Sequence, residues 1–213
     1  MQPKISIFIP IKRDSQRVPG KNYRDFGGIP LWEHAVRKFS NFNVYIDTDD
    51  PALITSLRKY PNVIAYLRSP TLLGHKVSVC DLIKHWVYRF DPDGFLFQVH
   101  VTSPFIKSET LLSAFSEMTD NNDSVFSCNR YQTRFWHSNR PINHDPDILI
   151  QTQDLEPVYE ENSLFYGFTK EVAETGKRIG ASPILYETDQ IESMDIDTEE
   201  DWSECLKIIQ QVK

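Results

Sequence analysis

The stretch KISIFIPIKRDSQRVPGKN, residues 4–22, decides how the rest of the chain is read. Its first part, KISIFIPI (4–11), is a β-branched apolar run of the kind that makes a buried strand. Lys12, Arg13, Arg17 and Lys21 follow at once, in a loop punctuated by Pro19 and Gly20. In an open parallel sheet, ligands bind outside the carboxyl ends of the strands, where such loops leave the sheet. Cations and backbone N–H groups converging there make an anion site, and a triphosphate is its natural guest. The loop has neither the spacing of a P-loop nor the glycines of a dinucleotide fingerprint. Taken alone, it reads more readily as a solvated, charged connection.

Outward from this stretch the chain alternates. IPLWEHAVRKFS (29–40) carries Leu31, Ala35, Val36 and Phe39 at helical spacing, and NVYID (43–47) returns to strand. DPALITSLRKY (50–60) reads as a helix with Pro51 in its first turn, and NVIAYL (62–67) as a strand. An amphipathic helix over 77–90, a buried strand over 94–101 and a helix over 108–118 opened by Ser108 continue the pattern. This alternation predicts an α/β fold, a mostly parallel sheet with helices on both faces. Residues 129–162 break the rhythm, being polar and aromatic without helical periodicity, and are expected to form an excursion, a lid or a dimer contact. SLFYGF and SPILYE then read as returning strands, and DTEEDWSECLKIIQQVK as a closing helix capped by Asp197 or Thr198.

Composition narrows the class. With 213 residues, 40% of them hydrophobic, the chain is expected to form a single domain over 1–213, with 130–162 as its excursion. No apolar run approaches the roughly 18 residues that span a bilayer, so no membrane partner is expected. The net charge of -7 argues against a nucleic-acid partner bound through a general basic surface. Cys80, Cys128 and Cys205 lie far apart, and the first residues lack a signal-peptide pattern, which points to a reducing cytoplasm.

Near the other end stands ESMDIDTEEDW, residues 192–202. On an extended segment the carboxylates of Asp195 and Asp197 point to the same side and are close enough to share one hard cation, which Mg²⁺ would suit. Acidic residues before a helix also stabilise it through the dipole, so the pair alone is a weak signal. A basic loop for phosphates and a carboxylate pair for a metal are together the minimal equipment for phosphoryl or nucleotidyl transfer.

The loop IPIKRDSQRVPGKN resembles the signature of the acylneuraminate cytidylyltransferase family, the CMP-sialic acid and CMP-nonulosonic acid synthetases. YIDTDDPALI, YLRSPTLLG, HVTSPF, TQDLEPVYEENSLFY and ESMDIDTEEDW are similar to further family segments, in family order, from residue 5 to about 202. The resemblance implies a Rossmann-like sheet of the nucleotide-diphospho-sugar transferase type, a homodimer, and a cytidylyltransferase coupling CTP to a keto sugar acid with release of pyrophosphate. It implies Lys21 as the leading phosphate ligand and catalytic group, taken as an exposed loop lysine, with Asn22 beside it and Ser15 where the loop folds around the nucleotide. By the same matching Arg68 lies by the cytosine base, His100, Asn162 and Tyr166 contact the sugar, and Asp195 and Asp197 hold Mg²⁺, with Asp197 catalytic. Three positions depart from the sialic acid enzymes: Lys12 and His100 replace an arginine and a glutamine, with Arg13 and Arg17 compensating for the first, and Thr152 stands for a sugar-binding arginine. These departures imply an acceptor other than ordinary sialic acid. The alternatives are an eight-carbon acid such as 3-deoxy-manno-octulosonate, or a nucleotide-binding module without turnover.

The remaining conspicuous residues read as structural. His75, His85, His137 and His144 lack metal-ligand spacing, and Trp32, Trp86 and Trp202 sit at helical core spacing. Trp136, in the excursion, reads as covering either a ligand or a partner subunit.

Overall fold

A computed structural model of the chain describes residues 4–15, 17–74 and 76–211. In chain order the elements are β1 (Ile5–Ile11), α1 (Leu31–Lys38), β2 (Asn43–Thr48), α2 (Pro51–Leu57), β3 (Val63–Leu67), α3 (Val79–Phe90), β4 (Phe95–Val99) and α4 (Ser108–Ser116). β5 (Ser124–Tyr131), β6 (Trp136–His137), β7 (Arg140–Pro141), β8 (Val158–Phe168), α5 (Lys170–Glu174), β9 (Pro183–Glu187) and α6 (Glu199–Gln211) follow. Seven strands form one sheet in the order β3-β2-β1-β4-β8-β5-β9, and β6 and β7 pair separately. β3, β2, β1 and β4 run parallel, as do β5 and β9, while β8 runs antiparallel between β4 and β5. The chain steps outward from β1 to β3 and then returns to β1's other side with β4. Strand order therefore reverses between β1 and β4, which is where an open α/β sheet binds its ligand.

Local chemistry accounts for the elements. Ile7, Ile9 and Ile11 alternate into a core shared with Leu31 and Val36 of α1, Leu53 of α2, Leu111 of α4 and Trp202 of α6. Phe8, between them in sequence, faces the opposite side, where it stacks on Trp86 of α3 at 4.9 Å among Leu82, Ile83, Tyr166 and Val172. The strand is thus buried on both faces, which is why it reads as a continuous apolar run. Asp50 caps α2, with Pro51 at the first position. Ser78 and Asp81 form a capping box on α3. Thr198 rather than Asp197 caps α6: its hydroxyl accepts from Asp201 N at 3.1 Å, and the Asp201 carboxylate accepts from the N–H groups of Thr198 and Asp197. Trp32, Trp86 and Trp202 are buried as expected, and the three cysteines are free.

The excursion is narrower than its polar composition suggests. β5 already begins at Ser124, and β8 at Val158, so both flanks of the segment are sheet and only residues 132–157 leave it. The outer halves of these strands are exposed on both faces, as at Tyr159 to Glu161, and carry no alternation to read. The pairing of β5 with β8 shifts register between Phe126 and Cys128, and opposite that break Ser163 adopts φ 61. Neither β5 nor the short α5 was legible from periodicity.

Candidate active site

The basic loop is not a solvated connection. Val18 in its middle is fully buried, Gly20 takes φ 65 to open a 3-10 turn at Lys21–Tyr23, and Lys21 and Asn22 are buried. Asn22 Nδ2 donates to the Lys12 carbonyl at 2.8 Å, closing the base of the loop. Lys21 Nζ donates to the Ile196 carbonyl and stands 3.6 Å from Asp197. This corrects the expectation of an exposed lysine: Lys21 is 8% exposed and ties the loop to the far end of the chain. Arg17 clasps the Asp197 carboxylate through both terminal nitrogens, at 2.7 and 2.8 Å.

The acidic segment alternates as an extended chain should. Ile196 is fully buried and its N–H bonds the Thr102 carbonyl at 2.9 Å, while Asp195 and Asp197 on either side both line the cleft. Asp195 Oδ1 is buried there with no hydrogen-bond partner. The donor set suits a magnesium ion, which takes one or two carboxylates and completes its shell with substrate phosphates and water. Among the described residues no group of three or more His, Cys, Asp or Glu is arranged for a metal, so a site here depends on that phosphate contribution.

The cleft holds 580 Å³. Lys12, Ser15, Arg17, Lys21 and Asn22 form one wall, Val77, Val79 and Leu82 an apolar one, and His100, Thr102 and Ser163 the side toward β4 and β8. A second cavity of 380 Å³ shares Lys12 and Asp14 with it and adds Arg13, Asp49, Arg68, Leu73 and Gly74. Arg68 is engaged: its guanidinium Nε bonds the Asp47 carboxylate, and both side chains are buried. Burial pushes the Asp47 carboxyl up, with Arg68 opposing it. Arg13 donates its backbone N–H to Asp49 at 2.7 Å.

The residues matched to the sugar divide. His100 lines the cleft, and burial pushes its imidazole down to about 4 against the opposing charge of Asp195. Asn162 and Tyr166 do not line it. Asn162 donates to Asn129 and Thr188 and accepts from Leu164 N, holding the irregular turn of β8. Tyr166 is fully buried, its hydroxyl bonded to Glu161 and to Ser163, the residue that does reach the cleft. Burial first, and then the Glu161 carboxylate, push that phenol up to about 12. Thr152 sits exposed in the excursion, 3.5 Å from Arg134. Asp14, Thr102 and Ser163 lie inside the matched stretches IPIKRDSQRVPGKN, HVTSPF and TQDLEPVYEENSLFY without having been singled out there, and Val77, just before α3, and Val79, at its start, carried no motif. His137 and Trp136 are exposed, Trp136 meets His144 edge-on, and His75 lies outside the described residues.

Comparison with known proteins adds an independent line. The family model for Cytidylyltransferase matches residues 6–212. The chain is 26% identical over 227 residues to CMP-N,N'-diacetyllegionaminic acid synthase of Legionella pneumophila subsp. pneumophila, with 97% of each covered. It is 22% identical over 179 residues to Pseudaminic acid cytidylyltransferase of Campylobacter jejuni subsp. jejuni serotype O:2, covering 74% of this chain and 75% of that one. A solved structure of CMP:2-keto-3-deoxy-manno-octonic acid synthetase complexed with CTP is similar in fold, with TM-score 0.73, 15% identity and coverage of 99% and 100%.

Proposed function

Because the chain belongs to the cytidylyltransferase family, we propose that it couples CTP to a nonulosonic, sialic-acid-like keto sugar acid, giving the CMP-sugar and pyrophosphate. One observation carries this reading: the basic loop and the acidic pair, joined by the Arg17–Asp197 ion pair across 180 positions, meet in one cleft at the strand-order reversal between β1 and β4. The names of the two curated relatives, both acting on nonulosonic acids, support the acceptor class. In this reading Lys12, Arg17 and Lys21 bind the triphosphate and stabilise the departing pyrophosphate, and Ser15 and Asn22 shape the loop around it. Arg13 and Arg68 border the side cavity suited to the base. The acceptor enters beside His100, Thr102 and Ser163, with its anomeric hydroxyl toward the α-phosphorus. Asp195 and Asp197 would hold Mg²⁺, which supplies charge neutralisation at the reacting phosphate.

A pyrophosphate-release screen tests the reading, with CTP, UTP, ATP and GTP offered against N,N'-diacetyllegionaminic acid, pseudaminic acid, N-acetylneuraminic acid and 3-deoxy-manno-octulosonate. Release with CTP and a nine-carbon acid is expected. Release only with the eight-carbon acid selects that alternative, and tight CTP binding without release selects a module without turnover. Trp136, Ile142, Ile148 and Leu149 expose apolar surface on the excursion, which supports a homodimer formed through it. Light scattering is expected to give a mass near twice 24.8 kDa, and a fully active monomer would leave the excursion as a lid alone. Three free thiols support a reducing, cytoplasmic setting, and among the described residues no helix is long and apolar enough to cross a membrane.

A further inference from the structure

Asp195 and Asp197 are carried by a segment that has to be placed as well as folded. Its shape is local: the Asp189 carboxylate accepts from the N–H groups of Ile191 and Glu192 at 2.9 and 3.3 Å, and the Asp189 carbonyl accepts from Ser193 N at 2.9 Å. Such a turn does not set its own distance from the sheet. Hydrogen bonds at both of its ends do. At one end Ile196 N donates to the Thr102 carbonyl at 2.9 Å. At the other the side chain of Glu192, a residue only 5% exposed, crosses 85 positions to accept the backbone N–H of Lys107 at 2.9 Å. The same carboxylate takes the Thr110 hydroxyl and, at 3.5 Å, the Lys107 ammonium. Asp195 therefore lies between two rungs, on a stretch anchored to both ends of residues 102–107.

The start of α4 explains why a carboxylate is buried there. The residue before the helix is Lys107, whose side chain has no acceptor to offer the unbonded N–H groups of the first turn. In a capping box, an acidic residue at the third helical position reaches back to the N–H of the residue before the helix. Thr110 holds that position here, and Glu192 takes both its hydroxyl and the Lys107 N–H. Glu192 thus completes the cap from a distant part of the chain, with its charge at the positive end of the helix dipole. A carboxylate this buried requires those donors, so α4 and the acidic segment keep a fixed spacing. α4 is itself fixed, with Leu111 and Ala114 in the core and Ile106 buried just before it. Asp197 is held by Arg17 and Lys21, but Asp195 Oδ1 has no hydrogen-bond partner, so the aim of Asp195 depends on the backbone that carries it, three positions on from Glu192.

We propose that Glu192 is a positioning residue for the metal carboxylates, fixing Asp195 through its bonds to the start of α4. The inference rests on the function proposed above. The test uses the full chain without an acceptor, so that CTP is bound but not consumed. Binding of Mn²⁺·CTP, with Mn²⁺ as a paramagnetic stand-in for Mg²⁺, is followed by water proton relaxation, binding of CTP in EDTA by calorimetry, and stability by thermal melts. In Glu192→Ala the Kd for Mn²⁺·CTP rises about 10–100-fold, as when a residue orienting a metal ligand is removed, while the Kd for metal-free CTP stays within about twofold. The melting temperature falls as well, because α4 loses its cap. Adding Lys107→Ser gives the helix a local cap, which raises the melting temperature again and leaves Mn²⁺·CTP binding weak. Unchanged Mn²⁺·CTP affinity in Glu192→Ala overturns the proposal, and so does affinity that returns together with the melting temperature in the double variant. Should Glu192→Ala fail to fold, Thr110→Val decides: a raised Kd for Mn²⁺·CTP at constant CTP affinity supports the proposal, and an unchanged one overturns it. A wild type that binds CTP but gains nothing from Mn²⁺ overturns the metal assignment and this inference with it, whereas one that binds no CTP overturns the proposed function.

Discussion

Asp195 and Asp197 carry the same charge in different surroundings, and their variants should differ accordingly. Asp195 has a buried oxygen with no partner, a feature that costs the unliganded fold about 1–3 kcal/mol. Asp195→Ala should therefore keep or raise the melting temperature while turnover falls at least ~10²-fold, as expected when a group positioning a catalytic metal is lost. Asp197 is instead the shared anion of Arg17 and Lys21. Asp197→Ala should lose a similar factor in turnover and also loosen the basic loop, lowering stability by up to about 1 kcal/mol, since the pair is partly solvated. Mg²⁺ titration of turnover together with thermal melts separates the two, and unchanged Mg²⁺-dependent turnover in either variant would refute its metal assignment. Lys21 needs a variant that keeps its packing, because the amine is tied to the Ile196 carbonyl in a buried setting. Lys21→Met should weaken CTP use at least about tenfold and cost about 1–2 kcal/mol of stability, the unpaired carbonyl being the cause. Kept CTP affinity with collapsed stability would make the lysine purely structural.

At the scale of elements, the cap of α6 is also part of the site. Thr198 and Asp201 bond each other reciprocally, and Asp201 reaches back to the N–H of Asp197. Thr198→Ala should cost about 1 kcal/mol, a fall of roughly 2–4 °C in melting temperature for a chain of this size. Because the same turn aims Asp197, the apparent Mg²⁺ requirement should rise in this variant, and a cap that changed stability without touching the Mg²⁺ titration would uncouple helix from site. The strands show where periodicity stops being informative. β1, buried on both faces, reads plainly as an apolar run, whereas the outer half of β8 is exposed and polar at Tyr159, Glu160 and Glu161. That half is sheet only because β5 lies alongside to take its backbone hydrogen bonds.

Over the whole molecule, one knot binds the periphery of the sheet. Glu33 of α1 accepts from Tyr60 at 2.6 Å, Arg37 at 2.7 Å and Lys59 at 3.0 Å. The Tyr60 hydroxyl leads, and with Arg37 and Lys59 it outweighs burial to hold the Glu33 carboxyl down at about 2. The unfolded chain takes up this proton first, so the knot's contribution is complete above the ordinary carboxylate pKa, near 4.5, and is lost as pH falls toward 2. Glu33→Gln should be less stable at neutral pH by about 1–2 kcal/mol, as its cationic partners are exposed, and should lose less on acidification. Urea titrations from pH 7 to pH 2.5 check both, and parallel curves would refute the assignment. The sequence by itself determined the βα alternation, the basic loop at the end of β1 and the paired carboxylates flanking Ile196, because each is written in residues a few positions apart. Only the tertiary structure decided that Lys21 is buried on the carbonyl of Ile196, that Arg68 is spent on Asp47, that Ser163 rather than Asn162 or Tyr166 reaches the cleft, and that Arg178 stands over Tyr166. Those outcomes depend on which strands and loops become neighbours, and such contacts join residues from 12 to 175 positions apart, beyond what local periodicity can read.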